Sequence, residues 1–366
     1  MRRVGILGGG QLGRMIALAG YPLGLQFSTI EPSVDPPMKP LAEHLHAGYD
    51  DPEALEKLVA TVDVVTYEFE NVLLATAEYL EKHIPVYPPS KALMISQERF
   101  VEKEFFSDLG IPTPEYYPID SIDDCSNAKI VTGLPAVLKT RRLGYDGKGQ
   151  VIVNSVEEIR DAFNRFNGVH LILEQKMNFS RELSIIAVRS KDGETAFYPL
   201  VENVHKNGIL AVSKAPAQNV SSDMALLAKE YAWKLIEGLD YIGVLAIEFF
   251  EVHGKLIANE FAPRVHNSGH WTIEGACTSQ FENHLRAILD LPLGNTDLRA
   301  YSAMINIIGV LPNVAEVLKI NDTHLHLYDK EPRPSRKLGH VTVCGDSPEA
   351  VDAKVVKLME LIKPVY

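Results

Sequence analysis

Two glutamates in the second half of the chain have the spacing of a cation site. Glu248 follows the apolar run 242–247, and Glu260 comes twelve residues later, with a polar stretch around Gly254 between them. Such a stretch between apolar runs is typical of a β-hairpin turn. A hairpin centred on Gly254 would place the two carboxylates opposite each other, with side chains roughly 5 Å apart. Like charges there destabilise a sheet unless a cation lies between them, so we expect a hard divalent ion. The alternative is a solvated edge hairpin with two surface glutamates.

A glycine-rich segment near the N-terminus is suited to binding a phosphate. Gly8, Gly10 and Gly13 have the spacing G-x-G-x-x-G between a strand pattern and a helical pattern, and Glu31 lies about twenty residues further on. This is the fingerprint of dinucleotide-binding α/β units, although its N–H groups and helix N-terminus would accept any phosphate. Alone it favours a nicotinamide-dependent dehydrogenase, but no constellation for hydride transfer follows it. A glycine turn without a ligand is the other alternative.

A second glycine-rich loop, residues 139–150, contains three glycines and four cationic side chains. It joins two predicted strands and would form a basic flap that closes over triphosphate oxygens through its N–H groups and Lys139. It lacks the spacing of a Walker A loop and the helix that follows one. A solvated hairpin turn is the alternative. Further along, Glu174 ends a strand that runs into a polar segment, which is suited to presenting backbone groups to an adenine edge.

The elements that must position these residues change character along the chain. Strands alternate with helices up to residue 68, which predicts a parallel α/β sheet. Pro85, Pro88-Pro89 and the stretch 291–294 mark boundaries, so we expect three domains at 1–95, 96–290 and 291–366. The patterns predict strands at 3–7, 25–30, 63–68, 151–153, 171–174, 182–188, 303–308 and 340–344, one strand within 131–139, and helices at 14–19, 51–59, 96–109, 224–237 and 348–361.

Composition indicates an ordinary soluble protein, with 366 residues, 46% hydrophobic content and a net charge of −12. An acidic balance of this size argues against nonspecific nucleic-acid binding. Cys125, Cys277 and Cys344 are far apart and show no metal-ligand spacing. No apolar run reaches membrane-spanning length and no signal-peptide pattern follows Met1, so we expect a cytoplasmic protein without a membrane partner.

Taken in order, the lysine strand, the glycine flap, the strand ending in Glu174-Gln175 and the Glu248/Glu260 pair resemble the ATP-grasp superfamily, whose two subdomains clamp ATP between antiparallel sheets. The chain looks closer still to the superfamily's purine-biosynthesis ligases that carboxylate 5-aminoimidazole ribonucleotide, the N5-carboxyaminoimidazole ribonucleotide synthetases. The resemblance covers essentially the whole chain. It is carried by the stretches 8–15 (GGGQLGRM), 66–71 (TYEFEN), 144–150 (GYDGKGQ) and 259–270 (NEFAPRVHNSGH).

The resemblance implies an ATP-grasp fold of α/β and α+β character. Residues 1–95 would form a Rossmann-like domain with a parallel sheet and the loop for the substrate phosphate. Residues 96–290 would form the ATP-grasp domain, with a central lid at about 131–180. Residues 291–366 would form a small α+β domain that completes the substrate site.

The resemblance also implies which residues bind ATP and Mg²⁺. Glu182 would accept hydrogen bonds from the ribose hydroxyls, and Glu248 and Glu260 would hold Mg²⁺ on the phosphates. Many ATP-grasp proteins have an asparagine where this chain has Ala262, so the identity of a third protein ligand is open. The residues implied to bind ATP are Arg99, Lys139, Gly144, Tyr145, Asp146, Gly147, Lys148, Gly149, Gln150, Glu174, Gln175, Lys176, Met177, Glu182, His205, Asn259 and Glu260.

The implied reaction is the ATP- and bicarbonate-dependent carboxylation of an exocyclic amine through carboxyphosphate, giving ADP and phosphate. Bicarbonate is a poor nucleophile and carboxyphosphate is short-lived in water, so the protein must orient an anion and exclude water. Arg264 is suited to a two-pronged grip on bicarbonate, and His266, Asn267 and His270 would supply further donors or the base. The residues implied to bind the ribonucleotide are Gln11, Leu12, Glu70, Tyr145, Asp146, Lys148, Arg336 and Lys337.

Two alternatives remain beside this carboxylating ligase, which forms a carbon–nitrogen bond. One is another ATP-grasp purine enzyme, such as the formate-dependent glycinamide ribonucleotide transformylase, and the other is a dinucleotide-binding oxidoreductase. The segments 67–71 and 264–270 favour the carboxylating ligase. Biotin carboxylase shares the chemistry but is usually longer. Analogy with the family also predicts a homodimer.

Overall fold

The computed structural model describes residues 2–144, 149–167 and 169–366. The N-terminal part contains β1 (Arg3–Leu7), α1 (Gln11–Gly20), β2 (Gln26–Ile30), β3 (Glu43–Leu45), α2 (Pro52–Thr61), β4 (Val64–Tyr67), α3 (Leu74–Glu81) and α4 (Ser90–Ser96). Its strands form a parallel sheet in the order β3-β2-β1-β4. β1 lies inside this sheet because its apolar residues are buried on both faces. The predicted parallel sheet is therefore confirmed.

A second sheet, antiparallel, follows this part. Its segment contains α5 (Arg99–Asp108), β5 (Tyr116–Ile119), α6 (Asp124–Thr132), β6 (Ala136–Thr140), β7 (Gln150–Val153), α7 (Val156–Arg165) and β8 (Leu171–Gln175). The strands pair in the order β5-β8-β6-β7. An apolar core that includes Cys125, Ile159 and Leu173 joins this sheet to helices α6 and α7.

The remaining strands form one antiparallel sheet. Their segment contains β9 (Arg181–Arg189), β10 (Thr195–Phe197), β11 (Val201–Lys206), β12 (Ile209–Ala215), α8 (Ser222–Gly238), β13 (Gly243–Val252), β14 (Lys255–Ala262), α9 (Thr272–Gly275), α10 (Gln280–Ile288), β15 (Tyr301–Ile308), α11 (Val314–Leu318), β16 (Thr323–Leu327), β17 (Lys337–Gly345) and α12 (Pro348–Ile362). The order is β14-β13-β9-β11-β12-β15-β17-β16, and β10 pairs with β9. β12 pairs directly with β15, so the strands after residue 300 extend the same sheet. The boundary at 290/291 stays a prediction.

One predicted helix is divided in the structure. The helix predicted at 96–109 is the end of α4 followed by α5, because Glu98 leaves the helical conformation and its side chain caps Phe100 N–H at 3.1 Å. None of the helices in the described residues is long and apolar enough to cross a membrane.

The hairpin between β13 and β14 has the predicted pairing of Glu248 with Glu260, but its turn differs from the predicted one. Its turn consists of the two residues His253 and Gly254, with φ of 49° and 74°, so the turn is not centred on Gly254. That turn alone would place Glu248 opposite Asn259. A β-bulge at Asn259 shifts the register by one residue, and Glu248 therefore pairs with Glu260. The predicted facing of the two glutamates is confirmed, and the predicted centre of the turn is wrong.

The two faces of β9 and β13 have different neighbours. Leu183 and Phe249 belong to the apolar core that also contains the buried side of α8. The opposite face is apolar at one end, where Ile186 pairs with Ala246, and polar at the other, where Ser184 pairs with Glu248. The polar end of this face forms the floor of a cavity.

Candidate active site

A cavity of about 630 Å³ lies where the three sheets meet. Every part of the fold contributes to its wall, including the first turn of α1, helix α5, the strand β6 and the central hairpin. The residues implied by the sequence that lie in this wall are Gln11, Leu12, Glu70, Arg99, Lys139, Gly144, Gln150, Glu182, His205, Glu248, Asn259, Glu260, Arg264, His266, Asn267 and Lys337. Their roles stay predictions, but the structure brings them into one place.

The remaining implied residues fall into two groups. Tyr145, Asp146, Gly147 and Lys148 lie outside the described residues. The polar segment after β8 is mostly exposed, and Phe179 is its residue in the cavity wall. The implied residues that the structure describes and that lie outside the wall are Gly149, Glu174, Gln175, Lys176, Met177, His270 and Arg336.

Among the described residues, the Glu248/Glu260 pair has one cationic side chain, Arg99, within ion-pair distance, and it lies on the Glu260 side. Glu260 Oε2 accepts a hydrogen bond of 2.8 Å from Arg99 Nη1, while Glu248 Oε1 lies 3.4 Å from His266 Nε2. Burial raises the pKa of Glu248, and the charge of Glu260 raises it further. Burial acts in the same direction on Glu260, but Arg99, together with the charges of Lys139 and Lys103, outweighs it and lowers the pKa of that carboxyl. Two facing carboxylates with one close cation are suited to binding a further cation.

Oxygen donors around this pair fit Mg²⁺. Asn259 Oδ1 is buried and has no hydrogen-bond partner among the described residues, and Asn259 lies in the wall beside Glu260. The part of the chain that the structure describes contains no cluster of three or more His, Cys, Asp or Glu side chains suited to a metal ion. Mg²⁺ is commonly held by one or two carboxylates together with substrate phosphates. The residues present therefore fit a phosphate-bound ion better than one held by the protein alone.

Buried cations form a second part of the site. Lys139 Nζ donates to Glu174 Oε2 at 2.8 Å, and Lys103 Nζ lies 3.7 Å from the same oxygen. Burial raises the pKa of Glu174, but Lys103 and then Lys139 outweigh it and lower that pKa to about 2. Lys103 also donates to the backbone oxygen of Asn259 at 2.5 Å. The Glu174 side chain thus holds two lysines in place.

Lys103 is a site residue that the sequence reasoning missed. It is completely buried on α5, four residues after Arg99. Residues four apart lie on the same face of a helix, so the pair Arg99 and Lys103 was the available signal. A lysine on a helix face is normally solvated, and only the tertiary structure shows that this one is not.

The edge of the cavity beside β9 and β11 carries a hydrogen-bonded acid and imidazole. His205 Nδ1 lies 2.8 Å from Glu182 Oε2. Burial lowers the pKa of His205, but the hydrogen bond to Glu182 and the charges of Glu248, Glu182 and Glu260 together outweigh it, so the pKa is raised overall. Gly149 borders the flap with φ of 72°, and a Cβ there would lie 2.6 Å from Thr140 Oγ1. Glycine is required at that position for both reasons.

The N-terminal glycine loop is occupied by the protein's own carboxylates. Glu68 accepts hydrogen bonds from Gly10 N–H and, at 2.8 Å, from Gly13 N–H. Glu31 accepts one at 3.1 Å from the backbone of the same loop. A Cβ at Gly8, whose φ is 102°, would lie 2.6 Å from Glu68 Cγ. Close packing on Glu68 therefore accounts for Gly8 and Gly10, and Glu31 is bound internally instead of facing a dinucleotide ribose.

Gln11 and Leu12 are the residues of this loop that reach the cavity. They begin helix α1, and the first N–H groups of a helix have no partner within it. Gln11 Oε1 accepts a hydrogen bond from Lys330 Nζ, which belongs to the segment before β17. Burial lowers the pKa of Lys330 to about 8. The sequence reasoning missed Lys330, whose available signal was its place six residues before Arg336 in the same basic stretch.

Arg264 is oriented by a carboxylate. Its Nε donates to Glu70 Oε2, and its Nη1 donates to the backbone oxygen of Val265 at 3.2 Å. Burial raises the pKa of Glu70, but the charge and the hydrogen bond of Arg264, with a backbone hydrogen bond, together outweigh it and lower that pKa. Because both side chains are in the wall, an anion bound there would meet a guanidinium already held in position.

The backbone of His266 is held by a buried glutamine. Gln280 Nε2 donates to His266 O at 2.6 Å, and Gln280 Oε1 accepts from His266 N–H at 2.9 Å. Asn283, on the same helix α10, makes the equivalent pair of bonds to the backbone of Gly294. Sequence reasoning missed Gln280, whose only signal is a polar residue on the buried side of an amphipathic helix.

His270 differs from the other residues of its segment. It is completely buried, and its ring centroid lies 5.5 Å from that of Phe281 and 4.8 Å from that of His340. Burial lowers its pKa far below the usual value. Asn267, by contrast, is in the wall and donates to Asn306 Oδ1 at 3.1 Å. The structure therefore brings Asn267, but not His270, to the cavity.

The basic stretch before β17 divides in a similar way. Lys337 lies in the cavity wall. Arg336 is half-buried outside it, and its Nη1 donates to the backbone oxygen of Glu331 at 3.3 Å. Burial and the neighbouring charge of Arg333 lower the pKa of Arg336. The two residues implied to meet the substrate phosphate are thus adjacent, with Lys337 nearer to the cavity.

Three sheets around a cavity with a glutamate pair and buried lysines define the class of the protein. Three family models match consecutive parts of the chain: a ribonucleotide synthetase preATP-grasp domain at residues 1–97, an ATP-grasp domain at residues 104–281, and a phosphoribosylaminoimidazole carboxylase C-terminal domain at residues 302–354. The chain is an ATP-grasp protein, and the fold class implied by the resemblance is confirmed.

Individual relatives narrow this class. The N5-carboxyaminoimidazole ribonucleotide synthase of Pseudomonas aeruginosa is 49% identical over 362 residues, 99% of each protein. The crystal structure of N5-carboxyaminoimidazole ribonucleotide synthetase from Thermus thermophilus superposes with a TM-score of 0.96 at 50% identity, covering 99% of both chains. The enzyme of Aspergillus clavatus in complex with ADP and 5-aminoimidazole ribonucleotide superposes with a TM-score of 0.91 at 33% identity, covering 99% of this chain and 98% of that one. The chain belongs to the N5-carboxyaminoimidazole ribonucleotide synthase family.

Proposed function

We propose that this chain is the ligase that carboxylates 5-aminoimidazole ribonucleotide in purine biosynthesis, with ATP as the energy source. The observation that carries the proposal is the cavity itself. One wall offers the Glu248/Glu260 pair and the buried lysines, which suit a nucleotide triphosphate. The adjoining wall offers Arg264 and the start of α1, which suit a small anion and a phosphorylated substrate. Relatives that match over the whole length carry this activity in their names.

Bicarbonate is the proposed source of the carboxyl group. Its oxygen attacks the γ-phosphorus of ATP, the bond to the β-phosphate oxygen breaks, and carboxyphosphate and ADP result. The exocyclic amine of the ribonucleotide then attacks the carboxyl carbon, or CO₂ released from it, and phosphate leaves. Arg264, held by Glu70, would orient bicarbonate through its outer N–H groups. His266 and Asn267 would complete the contacts to the anion.

Mg²⁺ is the proposed metal. Glu248 and Glu260 would hold it, with Asn259 Oδ1 as a further oxygen beside them. When bound, the ion would offset the charge on the phosphate oxygens during transfer. The protein's own contribution would come from Arg99, Lys103 and Lys139, whose charges reach the same region without any change in structure.

The nucleotide and the ribonucleotide would enter from opposite ends. Glu182 and His205 would bind the ATP ribose, and the segment after Glu174 would face the adenine. The flap residues Tyr145, Asp146 and Lys148 stay predictions for the ribonucleotide. The residues proposed for its phosphate and ribose are Gln11, Leu12, Glu70, Arg336 and Lys337.

Phosphate release tests this function. With ATP, Mg²⁺ and bicarbonate, we expect the purified chain to release ADP and phosphate at a rate that 5-aminoimidazole ribonucleotide strongly increases. Formate with glycinamide ribonucleotide should not replace it. Absence of stimulation by 5-aminoimidazole ribonucleotide would refute the proposal, and saturable NADH binding would favour a dehydrogenase. A homodimer in the cytoplasm is also proposed, from the family analogy, and sedimentation analysis would test the dimer.

A further inference from the structure

The imidazole of His266 has a defined hydrogen-bond partner on one side. Its Nδ1 lies 3.3 Å from the backbone N–H of Ser268 and 2.9 Å from Ser268 Oγ. A backbone N–H can only donate, so Nδ1 must present a lone pair. The ring proton then belongs on Nε2, which faces Glu248 Oε1 at 3.4 Å.

A chain of buried polar side chains continues behind Ser268. Ser184 Oγ donates to Ser268 Oγ at 2.8 Å, and Asn203 Nδ2 donates to Ser184 Oγ at 2.9 Å. Ser213 Oγ donates to Asn203 Oδ1 at 2.7 Å. All four side chains are buried, with exposures of 4% or less. Each member donates toward His266, so the chain has one direction.

The sheet places this chain in line with the carboxylate pair. Ser184 on β9 faces Glu248 on β13, and Asn203 on β11 faces Ser213 on β12. Polar residues therefore form a row across five neighbouring strands, from Glu260 to Ser213, with a two-residue step between β9 and β11, where Asn203 pairs with Glu182 and reaches Ser184 diagonally. Buried polar groups are costly unless every member is paired, and a fully paired network fixes the orientation of its members. A row without a task would be easier to build from apolar side chains.

We propose that Ser268, Ser184, Asn203 and Ser213 are positioning residues that hold His266 with its proton on Nε2. His266 then acts as a hydrogen-bond donor to the anion bound beside Glu248, and it is not the base of the reaction. A base at Nε2 would need the ring proton on Nδ1, where it would point at the Ser268 N–H. The donor role rests on the proposed function, whereas the place of the proton is a property of the protein alone.

Nitrogen NMR on the full chain tests the place of the proton directly. With ¹⁵N-labelled histidine, His284 serves as an internal reference, because its Nδ1 accepts from Val244 N–H at 3.1 Å and its Nε2 lies 2.9 Å from Thr66 Oγ1. His266→Gln identifies the His266 signals. We expect His266 to show the Nε2–H pattern of His284. A pattern with the proton on Nδ1, or on both nitrogens, would overturn the proposal.

Kinetics of ribonucleotide-stimulated ADP release test the positioning role. Ser268→Ala removes the hydroxyl donor to Nδ1, and we expect kcat to fall on the order of 10- to 100-fold, with the KM of ATP changed by less than about twofold. Ser184→Ala should give a smaller fall in kcat. In both variants the backbone N–H of Ser268 still faces Nδ1, so the proton should stay on Nε2 while the His266 Nδ1 signal shifts toward that of a weaker hydrogen bond. A general loss of packing would instead also shift the signals of His284.

Ser302→Ala is the matched control. Ser302 is equally buried on β15 of the same sheet, donates to Ala300 O at 3.1 Å, and lies off the chain. We expect its kcat and its His266 signals to equal those of the unmodified protein. If Ser268→Ala does not fold, Ser184→Ala still decides, and a kcat equal to that of Ser302→Ala would overturn the positioning role. If the unmodified protein lacks ribonucleotide-stimulated turnover, the proposed function fails while the NMR result still stands or falls by itself.

Discussion

Glu68 is a buried carboxylate and Glu248 a half-buried one, and both lie next to conspicuous motifs, yet their surroundings are opposite. Burial raises the pKa of each. The two oxygens of Glu68 accept N–H groups from Gly10 and Gly13, so the protein itself supplies their partners. Glu248 faces another carboxylate and an imidazole. A motif can therefore look like a phosphate loop and be filled internally, whereas a repulsive pair kept in a cavity wall marks a place that needs a ligand.

Replacing a glutamate by glutamine in the carboxylate pair and beside the glycine loop tests this difference. The largest expected effect is the loss of turnover at the carboxylate pair. We expect Glu260→Gln to fold normally and to lose on the order of 100-fold or more in Mg²⁺-dependent turnover, because one of two proposed metal ligands becomes neutral. Phosphate release checks the activity, and the melting temperature checks the fold. Glu251→Gln is the control on the same hairpin, since Glu251 pairs with Arg181 at 2.5 Å outside the cavity wall. Normal turnover by Glu260→Gln would refute the metal assignment.

Glu68→Gln should mainly lower the free energy of unfolding and affect turnover less. The new amide NH₂ would point at one of the two glycine N–H groups that Glu68 now accepts. A buried donor without an acceptor costs about 1–3 kcal/mol. Urea unfolding would measure this loss in the free energy of unfolding. An unchanged unfolding midpoint would mean that the hydrogen bonds from Gly10 and Gly13 to Glu68 do not stabilise this loop.

Arg336→Ala tests where the substrate phosphate binds. Glu68 already accepts the N–H groups of Gly10 and Gly13 in the glycine loop, so the basic stretch should contribute to binding this phosphate. We expect the KM of the ribonucleotide to rise on the order of tenfold, since a charge-assisted hydrogen bond contributes about 1.5–3 kcal/mol, while the KM of ATP stays nearly constant. Arg333→Ala is the control in the same stretch, because Arg333 is exposed. Equal effects on both KM values would contradict the proposed phosphate position.

The buried His284 gives the smallest effect at neutral pH. Burial lowers the pKa of His284 to about 4, below the usual value of 6.5, so the ring is neutral in the folded state. As pH falls from 6.5 to 4, the unfolded state takes up a proton that the folded state does not. Stability should therefore fall by up to about 1.4 kcal/mol per pH unit in that window. His284→Asn should show a shallower slope of unfolding free energy against pH, and an unchanged slope would contradict this account.

Sequence patterns located most of the described strands because local alternation and turn residues decide them, but they missed several helices, among them α3, α6, α7 and α10. The pairing of Glu248 with Glu260 could also be predicted from the sequence, but the β-bulge that produces it could not. A two-residue turn would have put Glu248 opposite Asn259, and the bulge that corrects the register depends on packing across the whole sheet. The partner of the glycine loop was out of reach for a related reason, since Glu68 lies 55 residues from Gly13 in the sequence. The burial of Lys103 and of His270 likewise depends on distant elements.

The direct pairing of β12 with β15 has a practical consequence for anyone who divides this protein. Four residue pairs, from Val212–Ile305 to Ala215–Ser302, join the two strands. A fragment that stops at residue 290 would leave β12 as an open strand edge, and such edges recruit other chains. We expect that fragment to aggregate on expression. New chain ends or labels belong instead at the tip of the His253-Gly254 turn, which is exposed.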